Sequence, residues 1–151
     1  MSGRPPPEQR SAYPHFLEIP TRWNDNDSYR HVNNAVYYEY FDTVVNRFLI
    51  DNDVLDVERS AVIAVVAETH CRFFSQIAFP SQVHAGLRIA HLGTSSIRYE
   101  IGLFRDDERT ASAQGHFVHV CVDRGTSRPV PVPRKLKDLL GSLMVSQPTE
   151  C

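Results

Sequence analysis

Residues 21–41 read TRWNDNDSYRHVNNAVYYEYF. Residues 24–31 are a polar loop, with Asp25 and Asp27 two apart and His31 at the end. From Asn33 the character changes. Asn33 is a good helix cap, because its side-chain oxygen can accept from the first free backbone N–H groups. Tyr37, Tyr40, Phe41, Val44 and Phe48 then recur at spacings of three and four, a continuous apolar stripe. Val36, Val45 and Leu49 widen it beyond what a surface helix needs. The spacing predicts a long helix wrapped by other structure over most of its circumference and ended by IDNDVLD (50–56).

Outward from this helix the period changes to two. HFLEIPTRW (15–23) places Leu17, Ile19, Thr21 and Trp23 on one side, and Pro20, lacking an N–H, confines that strand to an edge or a bulge. Residues 61–77, 82–92, 95–104 and 109–123 are rich in Val, Ile and Phe and read as strands. The joints between them are short, which predicts antiparallel neighbours. RGTSRPVPVP (124–133) is a turn with an extended segment, and RKLKDLLGSLM (134–144) a short amphipathic helix. One helix of this apolar width among five strands calls for a curved antiparallel sheet around it, an α+β domain. We expect a single domain over 15–145, a disordered or extended Pro-rich arm over 1–14, and a flexible tail over 146–151.

The chain has 151 residues and a formal net charge of −2, which argues against nonspecific binding of nucleic acid or an anionic membrane. Of the 16 basic residues 14 are Arg, so any phosphate contact falls to a guanidinium fork. Cys71, Cys121 and Cys151 form no CxxC pair and no disulfide framework. Cys71 and Cys121 sit in strand-like runs and read as buried free thiols; Cys151 reads as mobile. The first 14 residues hold no apolar core of a signal peptide, and no apolar run approaches the roughly 20 residues of a membrane span. These features point to the cytoplasm.

The combination is specific. A strand ending in RWNDND, then HVNNAVYYEYFD, then LGTSS opening one long strand and VCVDRGTSRPVPVP closing the last, resembles the hotdog-fold acyl-CoA thioesterases of the 4-hydroxybenzoyl-CoA thioesterase type. The resemblance covers roughly residues 15–140, and its most diagnostic part is D-x-D-x-x-x-H-V-N-N, Asp25 to Asn34. It implies a long central helix wrapped by a curved antiparallel sheet, an acyl-CoA substrate, no cofactor and a homodimer or homotetramer with active sites at the dimer interface. It also implies that the second Asp, Asp27, is the catalytic carboxylate and that the backbone N–H of Asn34 polarises the thioester carbonyl. The family often has Gly before the His; here that position is Arg30.

Thioester hydrolysis needs an activated oxygen nucleophile and stabilisation of the oxyanion. A helix N-terminus offers unpaired N–H groups and roughly half a positive charge. A carboxylate just upstream can deprotonate water, or attack directly to give a mixed anhydride. Asp27 fits either route, and also fits an Asx-turn in a polar loop. Asp25 fits a loop turn, or an ion pair with Arg22 or Arg30. His31 is placed to orient Asp27 or water, or to bond loop carbonyls. Tyr37, Tyr40 and Phe41 read as core, with Tyr37 at an edge that can line an acyl pocket. Glu39 and Asp42 read as solvated or as interface residues, with Glu39 a minor catalytic candidate. Ser95 and Ser96 in GTSS, with Arg88, Arg98, Arg124, Arg128 and Arg134, are candidates for the CoA nucleotide. Glu68, His70 and Arg72 share one strand face, expected at solvent or a subunit edge. His116 and His119 are an odd number apart, so they point to opposite faces and suggest no metal. Two rivals stand beside hydrolysis. A hotdog enoyl-thioester hydratase or dehydratase is disfavoured because DNDSYRH lacks the Pro of a D-x-N-P-x-H motif. The other is an acyl-CoA-binding protein without turnover.

Overall fold

A computed structural model describes residues 3–144; the expected tail over 146–151, with Cys151, lies outside the described residues. The predicted helix is α1, Asn34–Asp51. Asn33 caps it, its side chain accepting from the Ala35 N–H at 2.9 Å. Seven of its residues are buried: Tyr37, Tyr40, Phe41, Val44, Val45, Phe48 and Leu49. Phe41, Val44 and Val45 are fully enclosed, each burial stabilising by about 2 kcal/mol. The expected wrapping is only partial within one chain. Glu39, Asp42, Thr43, Arg47 and Ile50 form an exposed face, because the row between the widened apolar positions is polar and gains nothing from burial. The helix stops at Asn52, followed by Asp53 at φ 57°.

Five strands curve around the buried face: β1 (His15–Pro20), β2 (Val62–Phe73), β3 (Gln82–Leu92), β4 (Ser96–Arg105) and β5 (Ala113–Asp123). All pairings are antiparallel and the order is β1-β3-β4-β5-β2. β1 is an edge strand, as Pro20 requires. β3, β4 and β5 are neighbours in sequence and space, as their joints imply. The expectation fails for β2 and β3, which do not pair. The chain after Phe73 instead crosses below α1, where Ile77 is fully buried and its carbonyl accepts from the Val32 N–H at 2.8 Å. An apolar residue inside the joint makes the crossing more stable than a hairpin, so β2 reaches the far edge beside β5. Register shifts at Val66/Glu68 in β2 and Ile89/His91 in β3 add to the curvature. This is the α+β hotdog arrangement that the resemblance implies. A short helix, α2 (Arg134–Gly141), buries Leu136 and Leu140 against the core.

Residues 4–14 lie over the outer sheet face, with a single 3-10 turn at Arg10–Ala12. Tyr13, 5% exposed, lies in a trench above Gly86 of β3 and Gly102 of β4. A Cβ on Gly86 would come within 2.8 Å of Tyr13, and one on Gly102 within 2.6 Å. No helix among the described residues is long and apolar enough to cross a membrane.

Candidate active site

The loop before α1 is organised around Asp25, whose carboxylate is 1% exposed. It accepts from the Arg22 backbone N–H at 2.8 Å, from Arg22 Nε at 3.0 Å and from the Tyr40 hydroxyl at 2.9 Å. Its own carbonyl accepts from the Asn33 N–H at 2.9 Å. Burial pushes its carboxyl up, but these donors and the Arg22 charge bring the net below the usual carboxylate range. Burial, with the Asp25 charge, holds the Tyr40 hydroxyl well above a free tyrosine. Asp25 is thus a structural anchor; of its two expected partners it takes Arg22, not Arg30.

Asp27 is held differently. Its Oδ1 accepts from the Tyr29 N–H at 2.8 Å, and its Oδ2 from Asn33 Nδ2 at 3.3 Å. Its backbone N–H donates to the His31 carbonyl at 2.9 Å. The Asp27 side chain therefore makes an Asx-turn, and that turn leaves its carboxylate facing open space. Asp27 lines a cavity of about 430 Å³ together with His31, Asn34 and Tyr37. Among the described residues the N–H of Asn34 has no hydrogen-bond partner, as expected at the first position of a helix. His31 contributes its carbonyl to the turn and its ring to the cavity lining. Asn33 does two jobs where only the cap was expected: it closes the helix end and reaches back to Asp27.

Tyr37 is buried beneath this cavity, packed edge-on against Phe73 at 4.9 Å between ring centroids. Burial raises its hydroxyl above the ordinary value. Phe73, Phe74, Ser75 and Gln76, from the end of β2 and the chain beyond it, form the opposite wall. Nothing in the sequence joined them to Asp27, because the crossing of residues 74–81 is what brings them there. Cys71 is no rival nucleophile: burial pushes its thiol to about 12, so it stays protonated at neutral pH. A second cavity of about 580 Å³, lined by Trp23, Asn26, Arg30 and Phe79, also reaches Asp27. Arg30 has φ 66°, the left-handed region that favours glycine, which explains the family's frequent Gly there.

The other candidates are not gathered here. Ser95 and Ser96 do not line the Asp27 cavity. The Ser95 carbonyl accepts from the Cys121 N–H at 2.8 Å, toward the other end of α1. Arg88 is held by Glu100 at 2.9 Å and Glu8 at 3.4 Å. Arg124 donates to the Ser60 and Val57 carbonyls, at 2.6 and 2.8 Å. Arg98 lies on the outer sheet face with His70, Arg72 and His116. Glu39 is exposed and faces Arg22 at 3.4 Å. Asp42 accepts from Asn46. Glu68, His70 and Arg72 are exposed on the edge strand β2, with Glu68 bonded to His116 at 3.0 Å. His116 and His119 do point to opposite faces, and His119 is 2% exposed in the core.

Comparison with known proteins agrees with this fold. Residues 21–140 match the family model described as the thioesterase-like superfamily. The chain is similar to the PA5185 protein of Pseudomonas aeruginosa, at 48% identity and TM-score 0.90, over 94% of this chain and 99% of that one. It is similar to the PA2801 protein of the same organism at 31% identity and TM-score 0.77, over 83% and 97% of the two chains. The Dynemicin thioesterase shares the fold at 20% identity and TM-score 0.80, over 87% and 98%. No curated protein matches the chain.

Proposed function

The chain belongs to the thioesterase-like superfamily, and from that premise we propose that it hydrolyses an acyl-CoA thioester to the free acid and CoA. The observation that carries the proposal is that the Asp27 carboxylate and the unpartnered N–H of Asn34 line one cavity. A thioester carbonyl oxygen set against Asn34 N–H receives a donor and the positive end of α1, and such preorganised donors are typically worth ~3 kcal/mol of barrier each. Asp27 then removes a proton from water, whose oxygen adds to the carbonyl carbon. The tetrahedral oxyanion collapses, the C–S bond breaks, and the proton held by Asp27 passes to the CoA thiolate. In the covalent variant Asp27 itself adds to the carbonyl, the thiolate leaves, and water cleaves the anhydride. Both routes use the same residues, and oxygen-18 from solvent water appearing in the Asp27 carboxylate after single turnover distinguishes the second.

The proposal extends to a homodimer in the cytoplasm. β2 is an unpaired edge, and Val65 and Val66 on it are 44% and 50% exposed. A free apolar edge of this length invites a second strand. The same strand ends at the cavity wall, so a second copy would also close the site. Sedimentation as a monomer at micromolar concentration would remove this part.

A thiol-release assay over aliphatic and aromatic acyl-CoAs tests the reaction. Turnover of some member, reduced by about 10²- to 10⁴-fold in Asp27→Asn, is the expected result. Turnover that survives the substitution removes Asp27 from the role and points to His31 or Glu39. Tight acyl-CoA binding without turnover makes the protein a binder.

A further inference from the structure

We infer that the N-terminal arm positions the wall of the Asp27 cavity, with Arg4 as the positioning residue for the reaction proposed above, on which the inference's kinetic part rests. The arm precedes the family match, which begins at residue 21. It is nevertheless fastened at every turn. Arg10 N–H donates to the Arg109 carbonyl at 3.0 Å, and Ala111 N–H to the Glu8 carbonyl at 2.9 Å. The Glu8 N–H donates to Gln114 Oε1 at 2.7 Å, and Gln114 Nε2 returns a bond to the Pro6 carbonyl at 3.4 Å. Tyr13 fills its glycine trench under the Arg88 guanidinium, 4.9 Å from the ring centroid.

These anchors carry the chain around the end of the sheet to the back of the cavity. There Arg4 Nη2 donates to the carbonyl of Phe73, and the guanidinium lies 4.5 Å from the centre of the Phe74 ring. Phe73 is the last residue of β2, and both phenylalanines line the Asp27 cavity. One side chain therefore fixes the backbone of one wall residue and the ring of the next. Beyond Phe73 the backbone N–H groups of Phe74 and Ser75 share one acceptor, the Ser112 carbonyl, at 2.8 and 3.1 Å. Side-chain bonds from Ser75 Oγ to Ser112 Oγ and from Arg105 to the Gln76 carbonyl, both 3.0 Å, tie the same segment to the sheet. All of these ties hold the segment from Ser75 and Gln76 onward or through one shared acceptor, so the Phe73–Phe74 corner opens readily unless something clamps it from the arm's side. Arg4 is that clamp, touching neither the reacting atoms nor Asp27. Its loss lets the wall drift and weakens ground-state and transition-state fit alike.

The test uses the full chain carrying Arg4→Ala or Arg4→Lys. Both substitutions are at an exposed position, so folding is retained. Arg4→Ala is expected to raise KM for the preferred acyl-CoA about tenfold with kcat within about twofold. Arg4→Lys, which keeps a donor and a cation, recovers part of the loss. Independently of any activity, the Phe74 and Ser75 amides should exchange with solvent about tenfold faster in Arg4→Ala, while amides of the β3–β4 ladder keep their rates. Unchanged KM and unchanged exchange at 74–75 overturn the inference. If the wild type hydrolyses no acyl-CoA, the proposed reaction fails on its own, and the exchange rates alone decide the role of Arg4.

Discussion

The loop before α1 has two halves that treat a carboxylate in opposite ways. In the first, Asp25 is enclosed, and two Arg22 groups and the Tyr40 hydroxyl donate to its oxygens at 2.8 to 3.0 Å. In the second, two residues on, Asp27 keeps one short backbone bond and one long bond of 3.3 Å to Asn33, and turns toward open space. A carboxylate whose acceptor capacity is filled by the protein can anchor a loop but has nothing left to offer a substrate. One left partly unfilled beside a helix N-terminus keeps a lone pair for a proton or a carbon. Under the proposed mechanism the motif's two aspartates divide the labour: the first makes rigid the frame in which the second is aimed.

Exchanging the two losses is the strongest way to break this division. Asp27→Asn should cost about 10²- to 10⁴-fold in kcat for thiol release while moving unfolding stability by less than about 0.5 kcal/mol. Asp25→Asn should do the reverse, costing about 2 kcal/mol in denaturant unfolding while each folded molecule keeps most of its activity. The figure stays below that of a fully buried pair because Arg22 is 66% exposed and its charge returns to water. If Asp25→Asn abolishes turnover with the fold intact, the anchor reading is wrong.

Burial without a partner gives a third behaviour, in His119. Its Nδ1 has no hydrogen-bond partner among the described residues, and burial lowers its ionisation to about 4 from an ordinary 6.5. As pH falls through 6.5 the unfolded chain takes up this proton and the fold does not. Its contribution is therefore fully present above pH 6.5 and is lost between 6.5 and about 4, at about 1.4 kcal/mol per pH unit. His15 and His116 are also held below their ordinary value by burial and add a smaller slope of the same sign. Denaturant unfolding at a series of pH values should show a shallower acid limb in His119→Leu than in the wild type; parallel limbs would sink the assignment.

Asn33 links the two halves and sharpens the contrast at smaller cost. Asn33→Ala removes the cap, ~1 kcal/mol, and frees Asp27 Oδ2, so kcat should fall about tenfold as well. Asn34→Ala, whose contribution is through the backbone, should move neither by more than about twofold in rate. The cap and the stripe from Tyr37 to Phe48 were legible in the sequence because they are local: spacing on one helix fixes which face is buried. The strands were legible as strands for the same reason. What escaped was non-local. The placement of β2 beside β5 depends on Ile77 finding a pocket under α1, and the cavity wall at Phe73–Phe74 depends on that placement. Ser95 and Ser96, chosen for their chemistry, lie away from Asp27 because the direction of β4 carries them to the other end of the helix. The Pro-rich arm reads from composition as disordered or extended, and composition says nothing of the trench that Gly86 and Gly102, in two separate strands, make for Tyr13.

The smallest effect belongs to Arg30, where backbone and side chain pull apart. Its φ of 66° costs an ordinary residue roughly 1 kcal/mol, and glycine adopts it freely. The turn still needs that conformation, because the Arg30 N–H donates to the Asp27 carbonyl at 3.0 Å and keeps the carboxylate aimed. Arg30→Gly should therefore change stability by less than about 1 kcal/mol, as relief of the left-handed backbone is offset by glycine's greater freedom in the unfolded chain. The side chain is a separate matter, since it lines the second cavity with Trp23 and Phe79. If that cavity receives part of the substrate, KM rises in Arg30→Gly while the stability and the Asp27 turn are kept. If Arg30 is there only because the turn tolerates it, KM stays at the wild-type value. Steady-state kinetics beside a denaturation curve on this one variant separates what the backbone needs from what the guanidinium adds.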